Sequence, residues 1–158
     1  MKYCSVNEWL DAAQRKADSL STCAKVHVGC VIIDKNEEDL VWGWNKGIER
    51  NCREEGCHRI ELYGEDSKNH RLPSDCVALH SEINAIATAA RFGISLYESS
   101  IYITRYPCEA CARAIIQAGI KEVIYGRRES VSPMTQRMFD EAGVQTIHAA
   151  WNAKDNNS

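Results

Sequence analysis

The sequence predicts an α/β fold of three layers, α/β/α, in which helices cover both faces of one mixed sheet of about five strands. Two observations predict it. In the second half of the chain short apolar segments alternate with amphipathic ones, and in the first half two β-rich segments flank a polar turn. At 158 residues the chain has the size of one ordinary domain. We therefore assign residues 1–150 to a single domain and 151–158 to a polar tail.

Local signals predict the first helix and a hairpin. Ser5 and Glu8 have the spacing of a capping box ahead of a stripe of apolar residues, so a helix is expected to begin there. The apolar run 28–34 and the run 40–44 lie on either side of the turn 36–39. This pattern indicates two antiparallel strands.

The second half predicts three helices that alternate with three strands, and a glycine follows each helix as a terminator. Strands that alternate with helices favour parallel pairing through right-handed crossovers. The predicted helices span 80–92, 108–118 and 134–142, and the predicted strands span 100–104, 121–125 and 144–148.

Residues 45–75 form a polar segment, interrupted by glycine and proline, which we predict to be a long loop. Long irregular loops within compact domains are uncommon, and they are usually functional or held by something. This one contains Cys52, Cys57, His58 and His70.

Charge and hydropathy favour a small substrate. The formal net charge is -3 and the pI is about 6.0, whereas proteins that bind a long phosphate backbone are usually basic. Binding to nucleic acid is therefore not expected. No apolar run approaches the roughly 20 residues that a membrane-spanning helix needs, and charged residues interrupt the start of the chain. We expect a cytoplasmic protein with no membrane partner.

Eight cysteines are present, and three interpretations compete for them. A disulfide framework is typical of small secreted domains and suits this longer chain poorly. Metal ligation is the better interpretation for cysteines in motifs. Cys4, Cys23 and Cys30 stand outside motifs and are expected to be small apolar core residues.

The pair Cys108 and Cys111 stands where a predicted strand passes into a helix, preceded by Pro107. Residues three apart share a helix face, and the positive end of a helix stabilises thiolates. Such a pair also occurs in redox motifs and structural zinc sites, so it does not decide the function alone. His80 opens the preceding helix, and that helix start should lie at the same edge of the sheet. Two cysteines and a histidine would leave a fourth position on zinc open, as in catalytic sites.

Glu82 follows His80 by two residues, which on a regular helix separates the side chains by about 200°. It is therefore not expected to be a zinc ligand. At a helix start it can instead take a proton from water and pass it to a substrate. A histidine, one residue, a glutamate and a later Pro-Cys-x-x-Cys form the signature of zinc nucleobase deaminases, in which the glutamate is the acid and base.

The sequence also resembles the cytidine deaminase-like superfamily and, within it, the deoxycytidylate deaminases. The segment His80-Ser-Glu-Ile-Asn-Ala-Ile86 is similar to that family's H-A-E-x-N-A-I block. The segment Tyr102-Ile-Thr-Arg-Tyr-Pro-Cys-Glu-Ala-Cys-Ala112 is similar to its Y-x-T-x-x-P-C-x-x-C-A block. The likeness extends over about residues 26 to 125.

The resemblance implies hydrolysis of deoxycytidine monophosphate (dCMP) to deoxyuridine monophosphate (dUMP) and ammonia, with one catalytic Zn²⁺ at His80, Cys108 and Cys111 and with Glu82 as the catalytic residue. It implies that Asn45 of Gly43-Trp-Asn45 contacts the nucleotide. It also implies a homo-oligomer, commonly a hexamer, that the triphosphates of deoxycytidine and thymidine often regulate.

Two departures from the family pattern limit what the resemblance implies. The family's G-Y-N-G-x-P-x-G reads here Gly43-Trp-Asn-Lys-Gly-Ile-Glu-Arg50, which puts regulation by triphosphates in doubt. Ser81 replaces the usual alanine and adds a hydroxyl near the pocket, so a 5-modified cytosine stays open as the substrate.

A second, structural zinc is a further hypothesis, because closing a long loop on a metal offsets the entropy lost on ordering it. Reduced cysteines without metal are the alternative. The candidate ligands are Cys52, Cys57 and Cys76 with His58 or His70.

Two alternatives to dCMP deamination remain. The substrate could be free cytidine, cytosine, guanine or adenosine in transfer RNA. The chain could instead be a catalytically silent zinc-binding module, against which the presence of Glu82 argues.

Overall fold

The computed structural model of the protein describes residues 4–38, 40–65, 76–129 and 131–153. Six helices and seven strands lie within these residues, and they follow the predicted order of elements outside the long loop. In chain order they are α1 (Val6–Leu20), β1 (Gly29–Ile33), β2 (Leu40–Trp44), β3 (Lys46–Gly47), α2 (Cys52–Glu55), α3 (His58–Tyr63), β4 (Ala78–Leu79), α4 (Ser81–Phe92), β5 (Ser100–Arg105), α5 (Glu109–Gln117), β6 (Glu122–Arg127), α6 (Pro133–Ala142) and β7 (Gln145–His148).

The central sheet is mixed and has five strands in the order β2-β1-β5-β6-β7. Strand β1 pairs antiparallel with β2 and with β5, whereas β5, β6 and β7 are parallel to one another. The predicted hairpin and the predicted parallel half of the sheet are both confirmed. Connections through α5 and α6 join the parallel strands, as expected for crossover units.

Helix α1 covers one face of the sheet. The predicted capping box is present: Ser5 Oγ accepts a hydrogen bond from the Glu8 N–H at 3.3 Å, and the Glu8 carboxylate accepts one from the Ser5 N–H at 2.6 Å. Leu10 of this helix packs on Ile124 of β6 and on Trp151. Trp151, which the sequence analysis assigns to the polar tail, is buried and donates its indole N–H to Asp11 of α1 at 2.8 Å. The packed part of the chain therefore includes residue 151.

Helices α4, α5 and α6 cover the opposite face, and together with α1 they form the three layers that the sequence predicts. The larger core lies between these helices and the sheet. It is built from branched aliphatic residues on the strands, such as Ile101 and Val123, and from Ala85, Ile115 and Phe139 on the helices. Dense packing here fixes the helices to the strands and so fixes the helix starts in space.

Helix α4 approaches β2 closely because Gly43 has no side chain. A Cβ at Gly43 would lie 2.1 Å from the carbonyl oxygen of Ser81 and 2.9 Å from the Cys30 sulfur. Such distances are far below van der Waals contact, so only glycine fits. This glycine lets the first turn of α4 lie directly against the sheet.

The predicted long loop contains short elements that the sequence analysis did not predict. Strand β3 pairs with β4, with Lys46 opposite Leu79, and α2 and α3 lie between them. Helices of four and six residues are too short to produce a periodic apolar pattern. Residues 66–75, and His70 with them, lie outside the described residues.

Among the residues that the structure describes, no helix is long and apolar enough to cross a membrane.

Candidate active site

A cavity of about 660 Å³ opens at the sheet edge where β5 ends and where α4 and α5 begin. Ligand sites in open α/β sheets form at such edges. Its wall includes His80, Glu82 and Cys108 from the two helix starts and Asn45 from the end of β2. The cavity therefore brings together the residues that the sequence analysis singles out for chemistry.

The two helix starts present the three predicted metal ligands. His80 is the N-cap residue of α4 and Cys108 is the N-cap residue of α5, each with extended backbone and with no side-chain capping bond. Cys111 lies buried in the first turn of α5. His80 Nδ1 lies 3.6 Å from Cys108 Sγ and 3.4 Å from Cys111 Sγ. The sequence analysis predicted His80 and Cys108 to be the first residues of their helices. Each helix instead begins one residue later, at Ser81 and Glu109, so both residues are N-caps.

These three side chains fit a zinc ion. Their ligand atoms all lie within 4.8 Å of one another, and among residues 4–38, 40–65, 76–129 and 131–153 they form the one such group of three. Zinc bonds of about 2.3 Å to sulfur and about 2.0 Å to nitrogen place tetrahedral ligand atoms roughly 3.5–3.8 Å apart. The distances from His80 to the two sulfurs agree with that spacing. Three protein donors leave one position for water or substrate.

Hydrogen bonds within the group shift the pKa of both cysteines and of the histidine. A hydrogen bond from the Cys111 thiol, supported by one from His80, lowers the pKa of Cys108 to about 3, against a partial desolvation that acts in the opposite direction. The same hydrogen bond to Cys108 and burial raise the pKa of Cys111. The hydrogen bond with Cys108 raises the pKa of His80. These directions favour a thiolate on Cys108, which is the form of cysteine that binds zinc.

Glu82 is buried beside this group and is not a member of it. Burial raises the pKa of its carboxyl group, and hydrogen bonds from its own backbone N–H and from Ser81 act in the opposite direction. Ser81 Oγ donates to Glu82 Oε2 at 3.0 Å. A carboxyl group with a raised pKa that lines the same cavity is suited to accept and return protons near neutral pH.

Asn45 is held by three hydrogen bonds at the end of β2. Its Oδ1 accepts from the Val28 N–H at 2.9 Å and from the Ser21 hydroxyl at 2.8 Å, and its Nδ2 donates to the Val26 carbonyl at 2.8 Å. The amide therefore fixes the segment before β1. An amide nitrogen has two hydrogens, so one is not used by these three bonds, and Asn45 lines the cavity.

The residues predicted for a second zinc line the same cavity without forming a closed ligand group in the described part of the chain. The cavity wall includes Cys52, Cys57, His58 and Cys76. Within the described residues, no three ligand atoms of this set all lie within 4.8 Å of one another. None of the eight cysteines forms a disulfide, and all eight lie within the described residues.

Two cysteines differ from their predicted role as core residues. Cys4 is exposed, and Cys23 is half-buried and lines the cavity, whereas Cys30 is fully buried as predicted. Cys23 lies in the short segment before β1, and the side chain of Asn45 holds this segment beside the site through hydrogen bonds to Val26 and Val28. Sequence periodicity could not place it because that segment is neither helix nor strand.

The sequence analysis also missed charged residues in the cavity wall. Lys25, Arg59, Arg105 and Glu129 line it, and Arg105 Nη2 lies 2.5 Å from Glu129 Oε2. Arg105 could have been predicted as a wall residue from the sequence, because it lies three residues before Cys108, where a predicted strand ends. Besides Glu82, the cavity wall therefore contains three cationic side chains and one further carboxylate, that of Glu129.

Comparison with known proteins agrees with this geometry. Residues 5–127 match the family described as the cytidine and deoxycytidylate deaminase zinc-binding region. The chain belongs to this family. Deaminases of this family are zinc-dependent hydrolytic enzymes, and the matched range includes His80, Glu82, Cys108 and Cys111.

Relatives of this chain include ComE operon protein 2 of Bacillus subtilis, 33% identical over 147 residues, which cover 91% of this chain and 71% of that protein. A deoxycytidylate deaminase of Schizosaccharomyces pombe is 34% identical over 128 residues, covering 79% of this chain and 38% of the yeast protein. That of Enterobacteria phage T4 is 42% identical over 91 residues, covering 57% and 47%. The chain thus spans under half the length of these two deaminases.

The fold is also that of a solved deaminase. The crystal structure of the dCMP deaminase of cyanophage S-TIM5, in complex with dCMP and dUMP, matches with a TM-score of 0.65 at 21% identity. The match covers 89% of this chain and 93% of that one. The predicted three-layer deaminase fold is therefore confirmed.

Proposed function

We propose that this deaminase hydrolyses dCMP, or a form of it modified at C5, to dUMP and ammonia. The observation that carries the proposal is the group of His80, Cys108 and Cys111 beside the buried Glu82, at a cavity that His80, Glu82 and Cys108 line. Relatives named deoxycytidylate deaminase support this choice of substrate. The cavity volume, about 660 Å³, suits a nucleotide.

His80, Cys108 and Cys111 would hold the zinc, which when bound supplies Lewis acidity and lowers the pKa of water. Glu82 would take one proton from the attacking water and deliver it to the ring nitrogen N3. The water oxygen forms the new bond to C4, and the bond between C4 and the exocyclic amino nitrogen then breaks. The second water proton leaves with the amino group as ammonia, so that the oxygen remains as the 4-carbonyl and all atoms balance.

Asn45 would bind the substrate with its remaining amide hydrogen. Its other three hydrogen bonds hold the side chain in one orientation, so little conformational freedom is lost when a nucleotide binds. Positively charged side chains in the cavity wall, namely Lys25, Arg59 and Arg105, complement the phosphate of a nucleotide better than they complement a free base.

A substrate panel tests this proposal. We expect ammonia release from dCMP with a kcat/KM at least about tenfold above that for deoxycytidine, because a phosphate contact with a cation contributes about 1.4 kcal/mol or more. Cytosine, guanine, 5-methyl-dCMP and a transfer RNA complete the panel, with products identified by chromatography. Activity on the nucleoside and none on the monophosphate would refute the choice of substrate. No activity on any of them would favour the silent zinc module.

The second zinc also remains a proposal, with Cys23 added to the candidate ligands. Burial raises the pKa of the Cys52 thiol, and the neighbouring Cys57, Cys23 and Cys76 raise it further. These cysteines lie near Cys52 on the wall of one cavity, and a dication would stabilise their ionised form if it drew them together. His58 and His70 stay as alternative donors to these cysteines.

Metal analysis decides how many zinc ions the protein holds. We expect two per chain in the purified protein and one in Cys57→Ser, because the loss of one donor opens the second site. Cys4→Ser is the matched control, since Cys4 is exposed and does not line the cavity. One zinc in the wild-type protein would eliminate the second site.

Assembly and location follow as proposals from the same assignment. We infer a homo-oligomer, with the hexamer common in the family as the expected form, and light scattering of the purified protein measures its mass. The lack of disulfides among eight cysteines supports a reducing compartment such as the cytoplasm.

A further inference from the structure

The residue between the first metal ligand and the catalytic carboxylate has an unusual side chain for its place. Ser81 is fully buried at 0% exposure, Glu82 is 4% exposed, and the Ser81 hydroxyl donates to Glu82 Oε2 at 3.0 Å. In the blocks to which this sequence is similar, the corresponding residue is alanine. The hydroxyl is therefore a feature of this chain, not of the family pattern.

The backbone of Ser81 is fixed independently of this hydrogen bond. Its carbonyl oxygen accepts from the Cys30 thiol at 3.3 Å and lies against Gly43, where a Cβ would come within 2.1 Å. Cys30 and Gly43 are paired on β1 and β2, so the sheet holds the Ser81 backbone and the hydroxyl donates from an anchored residue. A fixed donor restricts the side chain that accepts from it.

We propose that Ser81 is a positioning residue that holds one carboxylate oxygen of Glu82 so that the other faces the reacting atoms. This inference rests on the proposed role of Glu82. A glutamate side chain has three rotatable bonds, and a carboxylate misplaced by about 1 Å can cost on the order of a hundredfold in rate. The hydroxyl acts through Glu82 and need not touch the substrate.

The variant Ser81→Ala removes only the hydroxyl and introduces the residue that the family uses, so folding is expected to be retained. We expect kcat to fall about tenfold, because hydrogen bonds to charged groups are the stronger class. KM and zinc content should stay within about twofold of wild type, since neither the metal ligands nor Asn45 is changed. Combined with Glu82→Gln, the substitution should produce no further loss.

Ser99→Ala is the matched control. Ser99 is also 0% exposed, and its hydroxyl donates to the Leu96 carbonyl at 2.6 Å, outside the cavity. Its loss should lower the melting temperature and leave kcat unchanged. A merely structural role for Ser81 would make the two variants behave alike.

Each outcome separates this inference from the proposed substrate. If the wild type prefers another nucleobase substrate, the two serine variants are compared on that substrate instead. An unchanged kcat in Ser81→Ala, or a loss confined to KM or to zinc content, overturns the positioning role while dCMP deamination stands. A wild type without deaminase activity on any substrate would overturn both.

Discussion

Replacing Glu82 with glutamine is expected to lower kcat by about a thousandfold while zinc content and fold are retained. Glutamine has nearly the same shape, but its amide cannot accept a proton from water and return it. Because Glu82 is not among the three metal ligands, the zinc site should stay intact. Rates of ammonia release, metal analysis and circular dichroism on the same sample measure the three quantities.

Glu109→Gln is the matched control for this substitution. Glu109 is also an acidic residue in the first turn of a helix at this sheet edge, but it is exposed and does not line the cavity. Its kcat should equal that of the wild type. A Glu82→Gln enzyme that retained full turnover would remove the carboxylate from the mechanism.

The same variant has a consequence for stability in the metal-free protein. Burial raises the pKa of Glu82, so the folded state binds its proton more tightly than the unfolded state does. Stability therefore falls as the pH rises from the unfolded pKa through the folded one, and above that window the ionised group destabilises the fold. Glutamine carries no charge at any pH. Metal-free Glu82→Gln should melt at or above the wild-type temperature at neutral pH, as expected where function is retained at a cost in stability.

The part of the fold that periodicity encodes could be predicted from the sequence. Alternation of strands and helices, glycines after each helix and the Ser5 and Glu8 capping box all describe local chemistry, and the structure confirms them. The grouping of His80, Cys108 and Cys111 could be predicted for a related reason, because both helix starts are marked by sequence and parallel crossovers bring such starts to one edge. The position of His80 and Cys108 as caps differs from the prediction by one residue, within the usual uncertainty at helix ends.

The remainder depends on contacts between residues far apart in the chain. Cys23 lines the cavity because Asn45 hydrogen-bonds to the Val28 N–H and to the Val26 carbonyl, and no local pattern encodes such bonds. The pairing of β3 with β4 joins residues that are more than thirty positions apart. The wall residues likewise come from separate parts of the chain: Arg105 ends β5 and Glu129 follows β6, and only the completed sheet brings them together.

Replacing Cys111 with serine is expected to remove the zinc and reduce turnover to that of the metal-free protein. Binding free energies of structural zinc sites are about 10–16 kcal/mol, so the loss of one ligand among three costs roughly 4 kcal/mol, or about a thousandfold in affinity. A serine hydroxyl ionises far less readily than a thiol and does not replace the sulfur. Metal analysis after gel filtration measures the loss directly.

Thermal melting with and without a chelator gives a second measure that does not depend on activity. Zinc bound to the folded state stabilises it by RT ln(1 + [Zn]/Kd), so chelation should lower the melting temperature of the wild type. Cys111→Ser should lack the part of this shift that comes from the catalytic zinc, so chelation should lower its melting temperature less than that of the wild type. Cys4→Ser, altered at an exposed thiol, should respond as the wild type does. A Cys111→Ser protein that kept its catalytic zinc and its response to chelation would mean that Cys111 is not a ligand. The third protein ligand would then have to be sought among other side chains of the cavity. The proposed attack by water depends on that set, because water needs the fourth position on the ion to be open.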